Sequence, residues 1–399
     1  MTFLIAVALA PLIILTALFA AEIFAGLRPL RGAIQAHARP LSAVIVVPAH
    51  NEAGILRGRR AGEEIAEILL VADNCTDATA EIGRSLGFQV IERHDPERRG
   101  KGFALDFARN HLKTNPPDVV LIVDADCVMD EPSIRRLIAE CGATQRPCQA
   151  MNLQVPGKDS SPVVQISTFA FFVKNVIRQR GLQRLAGRAH LLGTGMAFPW
   201  AIFARANLAT GDIVEDLKLG QELGQQGLGP RFVEQARVLS AAESGRNTLS
   251  QRRRWEGGFL RNALRAGPRL LGRSLWRLDA RETWAALNLM IPPLALLILL
   301  DVTFLMVAGA ITWLSSASAW PVLILLGVLI IAGGAIGLAW RAGGSKFVTL
   351  GALARAPLYV LWKVPMYLRF AKAGAPRDWV RTARDESPAG HSMDDSPLP

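Results

Sequence analysis

Three long, nearly unbroken apolar stretches frame the chain. Residues 3–27 are apolar apart from Thr16 and Glu22, and two further runs occupy 287–313 and 320–340. Each is long enough to cross a bilayer as a helix, which takes about 20 residues. The first run has no basic side chain before it, and Arg28, Arg31 and Arg39 after it. A cleaved signal would carry its positive charge first. Residues 1–27 are therefore expected to stay as an uncleaved span, with the following chain on the cytoplasmic side. The link between the two late runs is uncharged and suits the outer side, and Arg341 and Lys346 bring the chain back inside. Residues 286–340 thus read as two transmembrane helices. A weaker apolar stretch, 347–370, holds Arg355 near its middle. A central arginine costs about 2.5–3.5 kcal/mol on insertion scales. A crossing there would also leave Arg369, Lys372 and Arg377 outside. Residues 341–384 are expected to be interfacial or re-entrant.

Between these stretches the rhythm changes. Short apolar runs at 43–47, 68–71, 89–91 and 119–123 read as strands buried on both faces. Helical patterns at 77–82 and 103–112 separate them, the first with an acidic first turn that suits its dipole. Strands alternating with helices predict an α/β domain with a doubly wound parallel sheet over residues 41–245. No G-x-G-x-x-G follows the first strand, so the pattern does not point to a dinucleotide fold. Residues 53–67 must supply both a helix and a turn, yet contain Gly58 and Gly62, which disfavour helix. That helix is expected to be short or irregular, leaving one sheet face near 43–47 and 68–71 under-covered and Glu52 loosely placed. From 162 to 189, aromatics (Phe169, Phe171, Phe172) give way to arginines (Arg178, Arg180, Arg184, Arg188). This pattern fits either a helix at a membrane surface or one packed on the domain. A second arginine-dotted apolar region, 246–285, reads as amphipathic and interfacial. The Ser/Pro/Asp-rich tail, 385–399, reads as disordered.

Composition agrees with a membrane protein. Half of the 399 residues are hydrophobic, and 45 Lys+Arg against 34 Asp+Glu give a formal charge of +11. The arginines stand mostly beside apolar segments, which favours anionic membrane lipids and phosphate over nucleic acid as partners. Cys75, Cys127, Cys141 and Cys148 form no C-x-x-C, so neither a zinc nor a redox motif is indicated. They are expected to be small buried residues.

The candidate chemistry gathers at strand ends. The apolar run 119–123 leads into Asp124-Ala125-Asp126. Residues i and i+2 on a strand point the same way, so the two carboxylates would converge. Close carboxylates repel unless a proton or cation lies between them. A hard divalent cation, Mg²⁺ or Mn²⁺, suits oxygen ligands and leaves room for phosphate. The alternative is a solvated strand-end turn. Further along come P-A-H-N-E (48–52), A-D-N (72–74), G-K-G (100–102), E-D (215–216) and Q-R-R-R-W (251–255).

Taken in order, on strand ends and followed by membrane helices, these motifs resemble membrane-bound glycosyltransferase family 2 enzymes. The D, D-x-D, E-D and Q-x-x-R-W series is that of cellulose synthase-like and hyaluronan synthase-like proteins. The resemblance covers residues 41–380, and implies a GT-A-like nucleotide-sugar-binding domain. It implies that Pro48, His50, Glu52 and Asp73 line the nucleotide pocket, that Lys101 faces the diphosphate, and that Thr194 contacts substrate. Asp124 would touch ribose or metal, and Asp126 would ligate metal. Asp216, with Glu215 beside it, would be the general base, a role worth roughly 10²–10⁴ in rate. Gln251, Arg254 and Trp255 would shape the acceptor side. For Lys101 and the Q-R-R-R-W arginines, solvated or interfacial roles remain open. Asp301, inside a membrane segment, is either functional or a bundle partner.

The implied activity is inverting transfer of a sugar from a nucleotide-diphosphate sugar, UDP-linked, to a polysaccharide or glycolipid acceptor. The localisation that goes with it is the cell inner membrane, multi-pass, with the catalytic domain cytoplasmic. Two alternatives stand beside it: a non-processive transferase to a lipid phosphate, and a catalytically silent membrane subunit of a polysaccharide assembly complex.

Overall fold

The computed structural model describes residues 1–32, 40–57, 66–242 and 245–374. Arg39, Gly58, Gly62, Arg377 and the 385–399 tail, all used above, lie outside the described residues. The chain divides into two units. One, here the sheet unit, contains Leu30–Lys158 and Arg188–Gln251. The other, the helical unit, contains Met1–Pro29, Asp159–Gly187 and, among the described residues, 252–374.

The sheet unit is built on eight strands: β1 (Ala43–Ala49), β2 (Glu67–Asp73), β3 (Gln89–Arg93), β4 (Val119–Ile122), β5 (Cys127–Val128), β6 (Cys148–Val155), β7 (Met196–Pro199) and β8 (Arg231–Ala241). Their order is β3-β2-β1-β4-β7-β6-β8-β5. The first four are mutually parallel. Strand β7 runs antiparallel to both β4 and β6, and β5 antiparallel to β8. The all-parallel expectation is therefore corrected: the sheet is mixed. Parallel strands need a long crossover. The Thr79–Ser85 and Lys101–Leu112 helices lie in the β2–β3 and β3–β4 connections, and β6 and β8, which are also parallel, are joined through residues 156–230.

Alternation along the strands assigns each residue a face. Ile45, Val47, Leu70, Leu121 and Val123 pack on one side with Leu56, Phe88, Leu137 and Ile138. Val44, Val46, Leu69, Val71, Val120 and Ile122 pack on the other with Ala104, Leu105, Ala108, Phe203 and Leu219. The described part of 53–67 contains the four-residue helix Ala53–Leu56, and 58–65 lie outside the described residues. The expected gap in cover is absent, however. Val44–Val47 and Leu69–Asp73 are all buried, because Leu56 and the segment from Thr79 to Phe88 fill that face. Nor is Glu52 loose, since its N–H donates to Thr79 Oγ1 at 2.8 Å.

In the helical unit, Thr2–Gly26, Leu294–Ser315 and Trp320–Arg341 are long and apolar enough to cross a membrane. Ile5, Leu9, Leu12, Ala308 and Leu325 form their shared core. Thr16 Oγ1 donates to Asp301 Oδ2 at 2.8 Å, so Asp301 is a bundle partner. The 162–189 pattern becomes one helical run, Pro162–Ala186, with a single π turn at Val173–Ile177. Its Phe169, Phe171, Phe172 and Val176 are buried, which decides for packing. Gly181 lets this run touch the N-terminal helix, where a Cβ would overlap the Glu22 carbonyl. The 347–370 stretch breaks in two, Leu350–Leu353 and Ala356–Ala373. Arg355 falls at the break, at the start of the second helix.

Candidate active site

The residues expected around a nucleotide stand where β1 and β2 end. Pro48 lies within β1, opposite Val71 of β2. His50 Nδ1 donates to the Asp73 carbonyl at 2.7 Å. Asn51 and Asn74 adopt left-handed backbones, φ 58° and 51°, a conformation Asn tolerates because its short amide bonds locally. Asn51 Oδ1 accepts from Thr76 N–H at 2.7 Å, and Asn74 Oδ1 from Asp95 N–H at 2.7 Å. Asp73 itself is buried, and its Oδ1 accepts from Arg93 Nη1 at 2.6 Å. Burial pushes the Asp73 carboxyl up, while the bond to Arg93 and its charge act against that rise. Arg93 also donates to Asp95 at 3.1 Å and to the Arg98 carbonyl at 2.8 Å, and lies over the Phe103 ring. Arg93 was not among the sequence candidates. Its only signal was a charged residue closing an apolar strand.

A second group lies beyond β4. The strand ends at Ile122, so Asp124 and Asp126 are not on it. They sit in a turn closed by Cys127 N–H to the Asp124 carbonyl at 3.0 Å. Convergence therefore comes from the turn, not from strand alternation. Asp124 N–H donates to Thr194 Oγ1 at 3.1 Å. Lys101 opens the Lys101–Leu112 helix after Gly100, whose φ of 131° suits glycine. Its Nζ donates to the Asp124 carboxylate and to the Gly193 carbonyl, the latter at 2.7 Å. Glu215 and Asp216 form the first turn of the Glu215–Gln225 helix, where carboxylates suit the dipole. A Cβ on Gly193 would lie 3.4 Å from Asp216 Oδ2 and 3.8 Å from Lys101 Nζ. Lys101, Asp124 and Asp216 thus border one space beside Gly193.

The loop that presents Gly193 and Thr194 is held by Gln149 of β6, a further residue that sequence reasoning missed. Gln149 is fully buried, donates to the Thr194 carbonyl at 2.9 Å and accepts from Leu192 N–H at 2.8 Å.

The cluster is strongly acidic. Glu215 keeps some solvent contact yet is densely surrounded, and burial followed by the Asp216 charge raises its pKa to about 8. Burial alone would lower the Lys101 pKa. The charges of Asp124, Glu215 and Asp216 outweigh that and hold it above the ordinary lysine value, so Lys101 stays cationic.

Asp124, Asp126 and Cys127 each offer one ligand atom, all within 4.8 Å of one another. The Cys127 thiol is buried, which, with the Asp126 and Asp124 charges, pushes it well above the usual range. Sulfur is a soft donor and suits a hard cation poorly. The available donors are then two hard carboxylates, a set that fits Mg²⁺ or Mn²⁺.

The acceptor candidates divide between the units. Gln251 stands in the sheet unit, with its Oε1 3.5 Å from Gln154 Nε2. Arg254 and Trp255 stand in the helical unit. There Trp255 packs 6.0 Å from the Phe171 ring, and the buried Arg252 lies over both rings. Arg252 is fixed by Ser167, donating to its Oγ and its carbonyl at 2.9 Å each.

The mixed sheet thus carries carboxylates and a lysine in the turns and helix starts beside its parallel strands. The sequence profile of the Glycosyl transferase family group 2 matches residues 119–332, more than half of the chain. The chain belongs to that family and is a glycosyltransferase. No curated protein sequence matches it. Among solved structures, a mannosyltransferase from Pyrobaculum calidifontis, in complex with GDP-Man and Mn²⁺, aligns over 91% of this chain and 100% of its own, at 16% identity and TM-score 0.53. That likeness establishes the GT-A fold. Mannosyl-3-phosphoglycerate synthase from Rubrobacter xylanophilus aligns over 60% of this chain and 76% of its own, at 23% identity and TM-score 0.38. That overlap is too low to carry more.

Proposed function

We propose that the chain is an inverting glycosyltransferase that takes a sugar from a UDP-linked donor to a polysaccharide or glycolipid acceptor at the cytoplasmic face of the inner membrane. The observation that supports this reading best is the meeting of Lys101, Asp124 and Asp216 beside Gly193. Pro48, His50, Glu52 and Asp73 border the nucleotide, with Arg93 fixing Asp73. Lys101 faces the diphosphate as a point charge and orients Asp124. Asp124 and Asp126 would hold a divalent cation, which would supply charge neutralisation for the diphosphate leaving group.

Asp216 accepts the proton of the acceptor hydroxyl. That oxygen forms its bond to the anomeric carbon as the bond from carbon to diphosphate oxygen breaks, and attack from the opposite side inverts the centre. Glu215 stands beside Asp216, its carboxyl pKa raised to about 8 by burial and the Asp216 charge. Thr194 and Gly193 shape the space between them. Gln251 of the sheet unit, and Arg254 and Trp255 of the helical unit, are each assigned to the acceptor, to which an aromatic ring offers a flat apolar face and an arginine a bidentate grip on phosphate. Three apolar helices keep the enzyme at the membrane.

The experiment is a screen of nucleotide sugars for nucleotide diphosphate release by the purified chain, with Mn²⁺ and with Mg²⁺. Release from one uridine-linked donor, dependent on metal, is the expected result. No release from any donor would favour a silent assembly subunit. Product length then separates a polymerase from a transferase that adds one sugar to a lipid phosphate.

A further inference from the structure

The Gly245–Trp276 helix changes character after Trp255. In its second half, Leu264 is 78% exposed and Trp276 85%, and Leu278, just past the helix end, is 91% exposed. Leu275 is exposed beside them. Arg265, Arg269 and Arg273 recur every four residues, all exposed, and Arg277 continues the row. Residues four apart on a helix lie one above another, so like charges in such a row repel. In water both features are unfavourable: a cationic ladder and a row of large apolar side chains beside it.

The end of this face is pre-set. Leu278 holds a left-handed backbone, φ 52°, uncommon for a residue without glycine's freedom. Asp279 N–H donates to the Ser274 carbonyl at 3.1 Å, and Thr283 Oγ1 to Ser274 Oγ at 3.1 Å. The Asp279 carboxylate caps the Ala280–Met290 helix, accepting from Arg281 and Glu282 N–H at 3.0 Å each. The turn therefore presents Trp276 and Leu278 outward on a braced support.

We propose that this face is a docking surface for anionic phospholipid. Leu275, Trp276 and Leu278 enter the boundary between headgroups and acyl chains, where tryptophan is favoured. Arg265, Arg269 and Arg277 reach the headgroup phosphates, their stems lying along the apolar row. Charge complementarity selects the occupant. A zwitterionic lipid would cover the leucines but leave the positive charges of Arg265, Arg269 and Arg277 in one row, and a soluble anion would leave the leucines in water. The same helix carries Arg252 and Trp255 in its packed half, so lipid composition would act on the element proposed to shape the acceptor side. The inference rests on the membrane reading given above.

The test uses the full chain with Cys75→Ser, so that the remaining native thiols are buried. Leu278→Cys is labelled with an environment-sensitive fluorophore in nanodiscs of phosphatidylcholine, with or without roughly one third phosphatidylglycerol. We expect quenching by doxyl-labelled lipid in both, about twofold stronger with the anionic lipid. The triple substitution Arg265→Gln, Arg269→Gln, Arg277→Gln should remove the anionic increment alone. Quenching by aqueous iodide in place of lipid would overturn the docking, and equal quenching in both lipids would overturn the anionic selection. A second label at Met306→Cys, on the apolar Leu294–Ser315 helix, reports insertion itself. If it too is open to iodide, the membrane reading fails, which is a separate result.

Discussion

Arg93 and Asp73 form an ion pair 2.6 Å long from which water is almost excluded, their side chains being 9% and 10% exposed. Removing one partner of such a pair strands a buried charge and costs about 3–5 kcal/mol. Arg93→Ala should therefore lower the melting temperature and weaken nucleotide diphosphate binding together. Arg93→Lys should rescue little, because one ammonium cannot reach Asp73, Asp95 and the Arg98 carbonyl as the planar guanidinium does. An unchanged melting curve for Arg93→Ala would remove the pair from any structural role. Calorimetry with UDP on the same variant reads the second effect.

The pair also marks how far the fold is legible in the amino-acid sequence. Strands β1 and β4 were legible because both of their faces are covered, so Val44–Val47 and Val119–Ile122 are all apolar. Strand β6 is just as buried, yet it contains Gln149, Asn152 and Gln154. Gln149 is tolerated because the 192–195 loop supplies its partners, a long-range fact that no local pattern carries. The same holds for Arg93, whose partners lie 20 and 2 residues before and after it but converge only once β2 and β3 pair. Lys101, Asp124 and Asp216 were legible as motifs. Their meeting at Gly193 was not, since it needs a loop 92 residues from Lys101.

Metal dependence follows from the Asp124–Asp126 turn. A chelator should abolish nucleotide release, and added Mn²⁺ or Mg²⁺ should restore it. Asp126→Ala should match the chelated enzyme while keeping its melting temperature, because two close carboxylates repel when no cation is present. Full activity in excess chelator would defeat this reading.

The acidic pair at 215–216 should separate by role. Asp216→Asn keeps shape but cannot take a proton, so the rate at saturating donor should fall about 10²-fold or more with donor affinity largely kept. Glu215→Gln mimics the protonated form of a carboxyl whose pKa is raised to about 8 and should cost less. If donor affinity collapses in Asp216→Asn while the saturated rate survives, Asp216 binds substrate and is not the base.

Gly193 is constrained twice over. Its φ of 86° lies in the left-handed region, which costs an L residue roughly 1–2 kcal/mol. An added Cβ would also press toward Asp216 Oδ2 and Lys101 Nζ. Gly193→Ala should therefore lower activity at least tenfold while the fold persists, since the loss in stability is within reach of an ordinary domain. Wild-type turnover in that variant would show that the space beside Gly193 is not where the reaction occurs.

The helical unit has its own buried charge. Glu22, fully buried in the N-terminal helix, accepts from Arg178 Nε at 2.8 Å, from Trp284 Nε1 at 3.1 Å and from Asn288 Nδ2. Arg178 also lies over the Phe19 ring. Three elements far apart in sequence thus meet on one carboxylate. Glu22→Ala leaves Arg178 without its counter-charge and should cost about 3–5 kcal/mol, whereas replacing a buried pair by well-packed apolar residues is often neutral or better. The double substitution Glu22→Leu, Arg178→Met should therefore be more stable than either single one, although Trp284 and Asn288 then lose an acceptor. Thermal unfolding of the four proteins in one detergent closes the cycle. Single effects that simply add would mean that Glu22 and Arg178 contribute independently and that the carboxylate is held by Trp284 and Asn288 alone.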